Sequence, residues 1–222
     1  MAKILVFAPH PDDEVLGCGG TIAKHNKQKD KVSLCIVTKA YTPDWSEEFL
    51  KNRPKEIKKS NKILGIEKTY FLDFPTAKLD TISQKELNKA VLEIVQKVKP
   101  DVVYTPHLSD LSKEHRLTFE AVLVATRPIY KNTVKRLLSY EALSETEWGR
   151  GFTKKAFLPD VYVDISGTFK KKIEAMKAYK SELKKYPHPR SLEVIKALAQ
   201  KRGSEAGLKL AEAFVLIREI NQ

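Results

Sequence analysis

Short apolar runs alternate with amphipathic stretches through the first half of the chain. Ile4 to Ala8, Val32 to Thr38, Thr69 to Leu72 and Val102 to Thr105 are rich in β-branched and aromatic residues and read as strands. Between them, apolar residues recur at helical spacing near Leu16 to Lys27, Pro54 to Leu64 and Lys85 to Val98. Gly65 is placed to cap the second of these helices, and Pro100 follows the third. This strand–helix–strand rhythm predicts an α/β fold, a Rossmann-like, mostly parallel sheet with helices on both faces. A further helix, with Leu117, Phe119, Ala121, Val122 and Ala125 at periodic positions, begins near His115 and ends before Arg127-Pro128. Beyond it, Leu137 to Leu143 and Val161 to Ile165 read as strands around a loop with Trp148, Gly149 and Gly151. Helices near Phe169 to Leu183 and Leu192 to Lys201 follow, and Ala213 to Ile217 fits either a last strand or a helix. No linker, repeat or low-complexity segment divides the chain, so residues 1–222 are expected to form a single domain.

Composition narrows the class. A length of 222 residues supports one full core and is short for two. No apolar stretch has the length of a transmembrane helix. The apolar run that ends at Pro9 lacks the length and cleavage site of a signal peptide, and a cytoplasmic location is expected. Cys18 and Cys35 are too few and too far apart for a disulfide framework or a cysteine zinc site. The net charge of +12 sets up a field that draws anions, which suits an anionic small-molecule substrate. The lysines at Lys58-Lys59, Lys170 to Lys172 and Lys184-Lys185 read as solvated helix faces, and no nucleic-acid-binding motif accompanies them, so no nucleic acid partner is expected.

The candidate chemistry begins where the first strand ends. Ala8-Pro9-His10-Pro11-Asp12-Asp13-Glu14 puts an imidazole and adjacent carboxylates at a strand-to-helix turn, where open parallel sheets place ligands. Helix capping accounts for one or both aspartates but not for a histidine held between prolines. The set suits a divalent metal with one carboxylate left over as a base. Gly17 and Gly19 match the first two glycines of a dinucleotide fingerprint, but Ile22 fills the sixth position and Lys39, not an acid, follows the second strand. Nucleotide binding of that kind is excluded.

The segment His10 to Glu14, with its glycine-rich turn and Thr21-Ile22-Ala23, resembles the PIG-L/LmbE-like zinc-dependent de-N-acetylases. The resemblance extends to Arg53-Pro54-Lys55-Glu56 ahead of Leu64-Gly65, and to Asp110-Leu111-Ser112-Lys113-Glu114-His115-Arg116 at a helix start. It implies that His10, Asp13 and His115 bind zinc and leave one position open, with Fe²⁺ or Co²⁺ as alternatives by donor type. It also implies Asp12 as general base, Arg53 as a sugar contact, and Asp110 and Glu114 as carboxylates behind the ligands. The expected reaction is removal of an acetyl group from an N-acetylated amino sugar, nucleotide- or phosphate-linked, by zinc-activated water. An amidase acting on a non-sugar N-acyl compound stays open, as does an inactive metal- or sugar-binding homologue, although a retained Asp12 argues against the latter. Family members are often oligomers, which leaves a homo-oligomer open.

One departure bears on mechanism. Where many members carry a histidine three residues before the ligand histidine, this chain has Ser112. His107 and His188 are the candidate replacements as proton or oxyanion donor, with His188 preferred. It lies in Pro187-His188-Pro189-Arg190-Ser191, which resembles a signature of one family branch associated with carbohydrate gene clusters. Arg202-Gly203-Ser204 and Ala211 to Phe214 look like the same branch. There Arg190 is expected to grip a substrate phosphate or carboxylate as a two-pronged fork.

Overall fold

In the computed structural model, residues 1–129, 134–149 and 156–221 are described; Gly151 of the expected loop lies outside them. The elements run β1 (Lys3–Ala8), α1 (Asp13–Lys27), β2 (Lys31–Lys39), α2 (Glu47–Leu64), β3 (Lys68–Pro75), α3 (Gln84–Val98), β4 (Val102–Thr105), α4 (Lys113–Ala125), β5 (Arg136–Tyr140), β6 (Val161–Asp164), α5 (Phe169–Met176), α6 (Leu192–Glu205) and β7 (Ala211–Glu219). The strands form one sheet in the order β3-β2-β1-β4-β5-β7-β6. The first five are parallel, and β7 runs antiparallel to both β5 and β6. Among the described residues no helix is long and apolar enough to cross a membrane.

The central strand explains the apolar run at the start of the chain. In β1, Ile4, Val6 and Ala8 face a core built with α1, α2, α5 and α6, while Leu5 and Phe7 face a second core built with α3 and α4. Side chains alternate across a strand, so a strand covered on both faces must be apolar throughout. The strand order reverses between β1 and β4, where successive crossovers leave toward opposite sides. That reversal opens a crevice at the carboxyl ends of the two strands.

Several boundaries differ from expectation for identifiable reasons. Helix α2 starts at Glu47, because the Ser46 hydroxyl accepts from the Phe49 amide at 3.2 Å; Pro54 lies inside it rather than at its first turn. Helix α5 ends at Met176, short of Leu183. The Ala213 to Ile217 segment is a strand, extended to Ala211–Glu219 and paired on both sides. Lys172, expected on a solvated face, is buried against Glu212 at 2.6 Å and also donates to the Leu16 carbonyl at 2.8 Å. Glu212 in turn accepts from the Gly20 and Thr21 amides within α1, at 2.8 and 2.7 Å. A fully hydrogen-bonded pair is the form in which buried charges are tolerated.

The glycines after β1 belong to α1 rather than to a turn. A Cβ on Gly17 would sit 2.2 Å from Tyr140 Cδ2, and one on Gly20 would sit 2.7 Å from Ile165 Cγ2. Tyr140 cannot yield, because it is fully buried and its hydroxyl donates to the Phe7 carbonyl at 2.8 Å. Gly17→Ala would gain about 1 kcal/mol in helix propensity. Overpacking at this contact costs more, up to about 3 kcal/mol. A net loss of about 1–2 kcal/mol is expected, seen as a lower urea midpoint at unchanged slope.

Candidate active site

Both parts of the site hang from the switch point. After β1 the chain passes through Pro9, His10 and Pro11, and Asp12 sits at the start of α1 with φ 115°. After β4 the chain loops through His107 and Asp110 to Ser112, whose hydroxyl accepts from the Glu114 amide at 3.2 Å and caps α4. Capping is thus what Ser112 does in this chain. One turn into α4, His115 points back at Asp13.

His10, Asp13 and His115 converge, with their candidate ligand atoms all within 4.8 Å of one another. Asp13 Oδ2 lies 3.3 Å from His10 Nδ1 and 3.2 Å from His115 Nε2. Donors bound at roughly 2.1 Å around a tetrahedral ion stand about 3.4 Å apart, so these separations fit a shared cation. Two atoms of the trio, Asp13 Oδ1 and His115 Nε2, are buried without a hydrogen-bond partner. Orphaned buried polar atoms are costly and need a partner such as an ion.

Each imidazole is backed by its own carboxylate. His115 Nδ1 donates to Asp110 Oδ2 at 2.8 Å, and His10 Nε2 donates to Glu114 Oε2 at 2.6 Å, since an ionised carboxylate can only accept. Glu114 therefore serves the distant His10 rather than its neighbour His115. Both carboxylates are anchored in turn: Asp110 accepts from the Thr146 hydroxyl at 2.6 Å, and Glu114 accepts from the Ala77 amide at 3.0 Å. This leaves His10 Nδ1 and His115 Nε2 free to face Asp13. The local field is cation-seeking. Burial alone would lower the His10 pKa, but Asp13 and Glu114 override it and push it up to about 9. Burial would likewise raise Asp13, yet His115 and His10 hold its carboxyl well below the usual range.

Asp12 is buried beside this trio, and burial pushes its carboxyl well above the usual range despite the charge of Arg190. Its amide donates to Glu14 Oε2 at 3.0 Å, and Glu14 Oε1 accepts from the Tyr179 hydroxyl at 2.7 Å. A cleft of about 1040 Å³ opens from His10 and Asp12, with Arg53, Arg190, Trp45 and Phe49 on its walls. Arg53, on α2, pairs with Glu182 and stacks over Phe49 at 4.3 Å. Arg190 meets Glu182, Ser144 and Asp12 rather than open solvent.

The two candidate replacement histidines do not line this cleft. His188 accepts at Nδ1 from the Arg190 amide at 3.0 Å and stands edge-on to the half-exposed Trp148. Desolvation and the Arg190 charge lower its pKa, which disfavours a cationic donor. His107 is buried on the Ser139 hydroxyl at 3.0 Å and faces Phe157. Glu182, Glu145 and Tyr179 are site residues that sequence reasoning missed. Glu182 sits among Lys180, Lys184 and Lys185, a pattern that reads as solvated surface.

An open α/β sheet thus carries at its switch point a His–Asp–His trio that could hold a metal ion, with a further aspartate beside it. Residues 5–126 match the PIG-L family, described as GlcNAc-PI de-N-acetylase, and the chain belongs to that family. It is similar to the uncharacterized deacetylase YaiS of Escherichia coli, at 28% identity over 80% of this chain and 90% of that protein. It is 30% identical to the diacetylchitobiose deacetylase of Thermococcus kodakarensis, over 81% of this chain and 70% of the relative. Among solved structures, the conserved protein TT1542 of Thermus thermophilus superposes with a TM-score of 0.81 at 26% identity, covering 100% of this chain and 97% of that one.

The carboxylates behind the imidazoles generate a test. Asp110→Asn and Glu114→Gln are each expected to weaken zinc binding about 10–100-fold, read by competition with a chromophoric chelator. Unchanged affinity in both variants would remove them from the metal centre.

Proposed function

We propose that this protein hydrolyses the acetamide of an N-acetylated amino sugar, with His10, Asp13 and His115 holding a zinc ion and Asp12 as general base. The observation that carries the reading is the combination of three converging ligands with a fourth, unligated carboxylate at the same strand end. When bound there, the ion would polarise the acyl carbonyl and lower the pKa of a coordinated water toward about 7. Two nitrogens and one oxygen also accept Fe²⁺ or Co²⁺.

The chain's own residues do the rest. Asp12 takes a proton from the attacking water as the new C–O bond forms, and returns it to the amine nitrogen as the C–N bond breaks. The products are acetate and the free amino sugar, so no further reactant is needed. Burial raises the Asp12 carboxyl above the usual range, the direction that favours its holding the proton between the two steps. Arg53 stands on the cleft wall, its guanidinium held between Glu182 and Glu56, the latter 3.6 Å from Nη1, and this fixed placement suits it to contact the sugar.

The substrate we favour carries more than one sugar ring. A cleft of about 1040 Å³ exceeds what a monosaccharide fills. The net charge of +12 favours an anionic group on that extension, such as a nucleotide or phosphate linkage.

Acetate release by the zinc-loaded protein, measured over free, nucleotide-linked and lipid-phosphate-linked N-acetylamino sugars, tests this reading. Release is expected from at least one class, and it is expected to fall about 10²–10⁴-fold in Asp12→Asn with zinc content unchanged. No release from any class would overturn it.

A further inference from the structure

Arg190 was expected to grip a substrate anion, yet its Nε and Nη1 are already engaged from inside the protein. Nε donates to Ser144 Oγ at 2.8 Å, and Nη1 donates to Glu182 Oε2 at 2.8 Å and to Asp12 Oδ2 at 3.3 Å. Nη2 stands 3.9 Å from Glu145 Oε1. A phosphate approaching this guanidinium would meet three carboxylates already gathered around it, which is a repulsive setting for an anion.

Asp12 has the complementary need. It is buried, its backbone is in the left-handed region at φ 115°, and no side-chain capping bond restrains it. Such a backbone is held in place only by its surroundings. Among the described residues, Arg190 is the one side chain that hydrogen-bonds the Asp12 carboxylate. Behind Arg190, Glu182 spans to Arg53 with its other oxygen. Charges thus alternate from Arg53 through Glu182 and Arg190 to Asp12, and each link restrains the next.

We propose that Arg190 is a positioning residue, which fixes the Asp12 carboxylate for proton transfer and is itself held by Glu182 and Ser144. The inference rests on the reading of Asp12 as general base. It assigns the Pro187-His188-Pro189-Arg190-Ser191 turn to the catalytic base rather than to substrate recognition.

Steady-state kinetics of Arg190→Gln, Arg190→Lys and Glu182→Gln on one neutral and one anionic N-acetylamino sugar separate the two roles. A misplaced base is expected to lower kcat about 10²-fold in Arg190→Gln, equally on both substrates and with KM unchanged. Arg190→Lys is expected to recover part of that loss. Glu182→Gln, which leaves Asp12 untouched, should lower kcat in the same sense by less. A KM increase confined to the anionic substrate, or an unchanged kcat, would overturn the proposal. Thermal melts and the visible spectrum of the cobalt-loaded variants establish that fold and ligands persist; if Arg190→Gln does not fold, Glu182→Gln decides. A crystal structure of the variant provides a readout that needs no turnover. The Asp12 carboxylate is expected to leave its place while His10, Asp13 and His115 keep theirs. If the wild-type protein releases no acetate from any substrate, the deacetylase reading fails, and an unmoved Asp12 in that structure would separately sink the positioning role.

Discussion

Carboxylates gathered in a dry pocket repel one another, and the arrangement around Asp13 is the answer this chain makes to that repulsion. Asp12, Asp13, Asp110, Glu114, Glu145 and Glu182 crowd one end of a protein whose overall charge is +12. Arg53 and Arg190 offset part of the excess. What is left falls on Asp13, set between two imidazoles that are themselves polarised by carboxylates behind them. Asp13 Oδ1 and His115 Nε2 are nevertheless buried without a hydrogen-bond partner, so this charge is only partly answered among the described residues. The basic surface and the acidic pocket therefore set up fields of opposite sign.

Much of this was legible in the chain, and its legibility followed range. The central strands could be read because burial on both faces makes them uniformly apolar, and β4 falls on the expected residues 102–105. The convergence of His10, Asp13 and His115 could be read because each half lies in a short segment with a motif of its own. What could not be read is which side chain meets which across long separations. Glu114 turns to His10, 104 residues away, and Arg190 turns to Asp12, 178 residues away. Sequence records that these groups are ionisable, whereas their pairing is set by how α4 and the turn before α6 dock against the β1 end. Pro54 and the glycines misled for a related reason. Both are strong local signals for helix starts and turns, and both were overruled by longer-range features, the Ser46 cap in one case and the Tyr140 ring in the other.

The fold supplies precision to this chemistry through its order of strands. Helices α1 and α4 leave from neighbouring strands, so the residues at their first turns face each other over the crevice. Family membership and the deacetylase relatives agree with that geometry, but the geometry has its own logic. Asp12 with His10 and Asp13, His115, and the cleft wall need three rigid supports, and the ends of β1 and β4 together with α2 provide them.

The pairing of Lys172 and Glu212 with the middle of α1 also has a temporal side. The Gly20 and Thr21 amides and the Leu16 carbonyl find their side-chain partners nearly two hundred residues and about one hundred and fifty residues later, respectively. During synthesis, which proceeds from the N-terminus, the helix that presents Asp12 and Asp13 emerges early and waits for the last strand of the sheet. A ribosome-bound chain that has not yet extruded β7 holds Asp12 and Asp13 on an incompletely supported helix. Full support for the Asp12–Asp13 segment thus arrives only with β7, instead of growing strand by strand as the domain emerges.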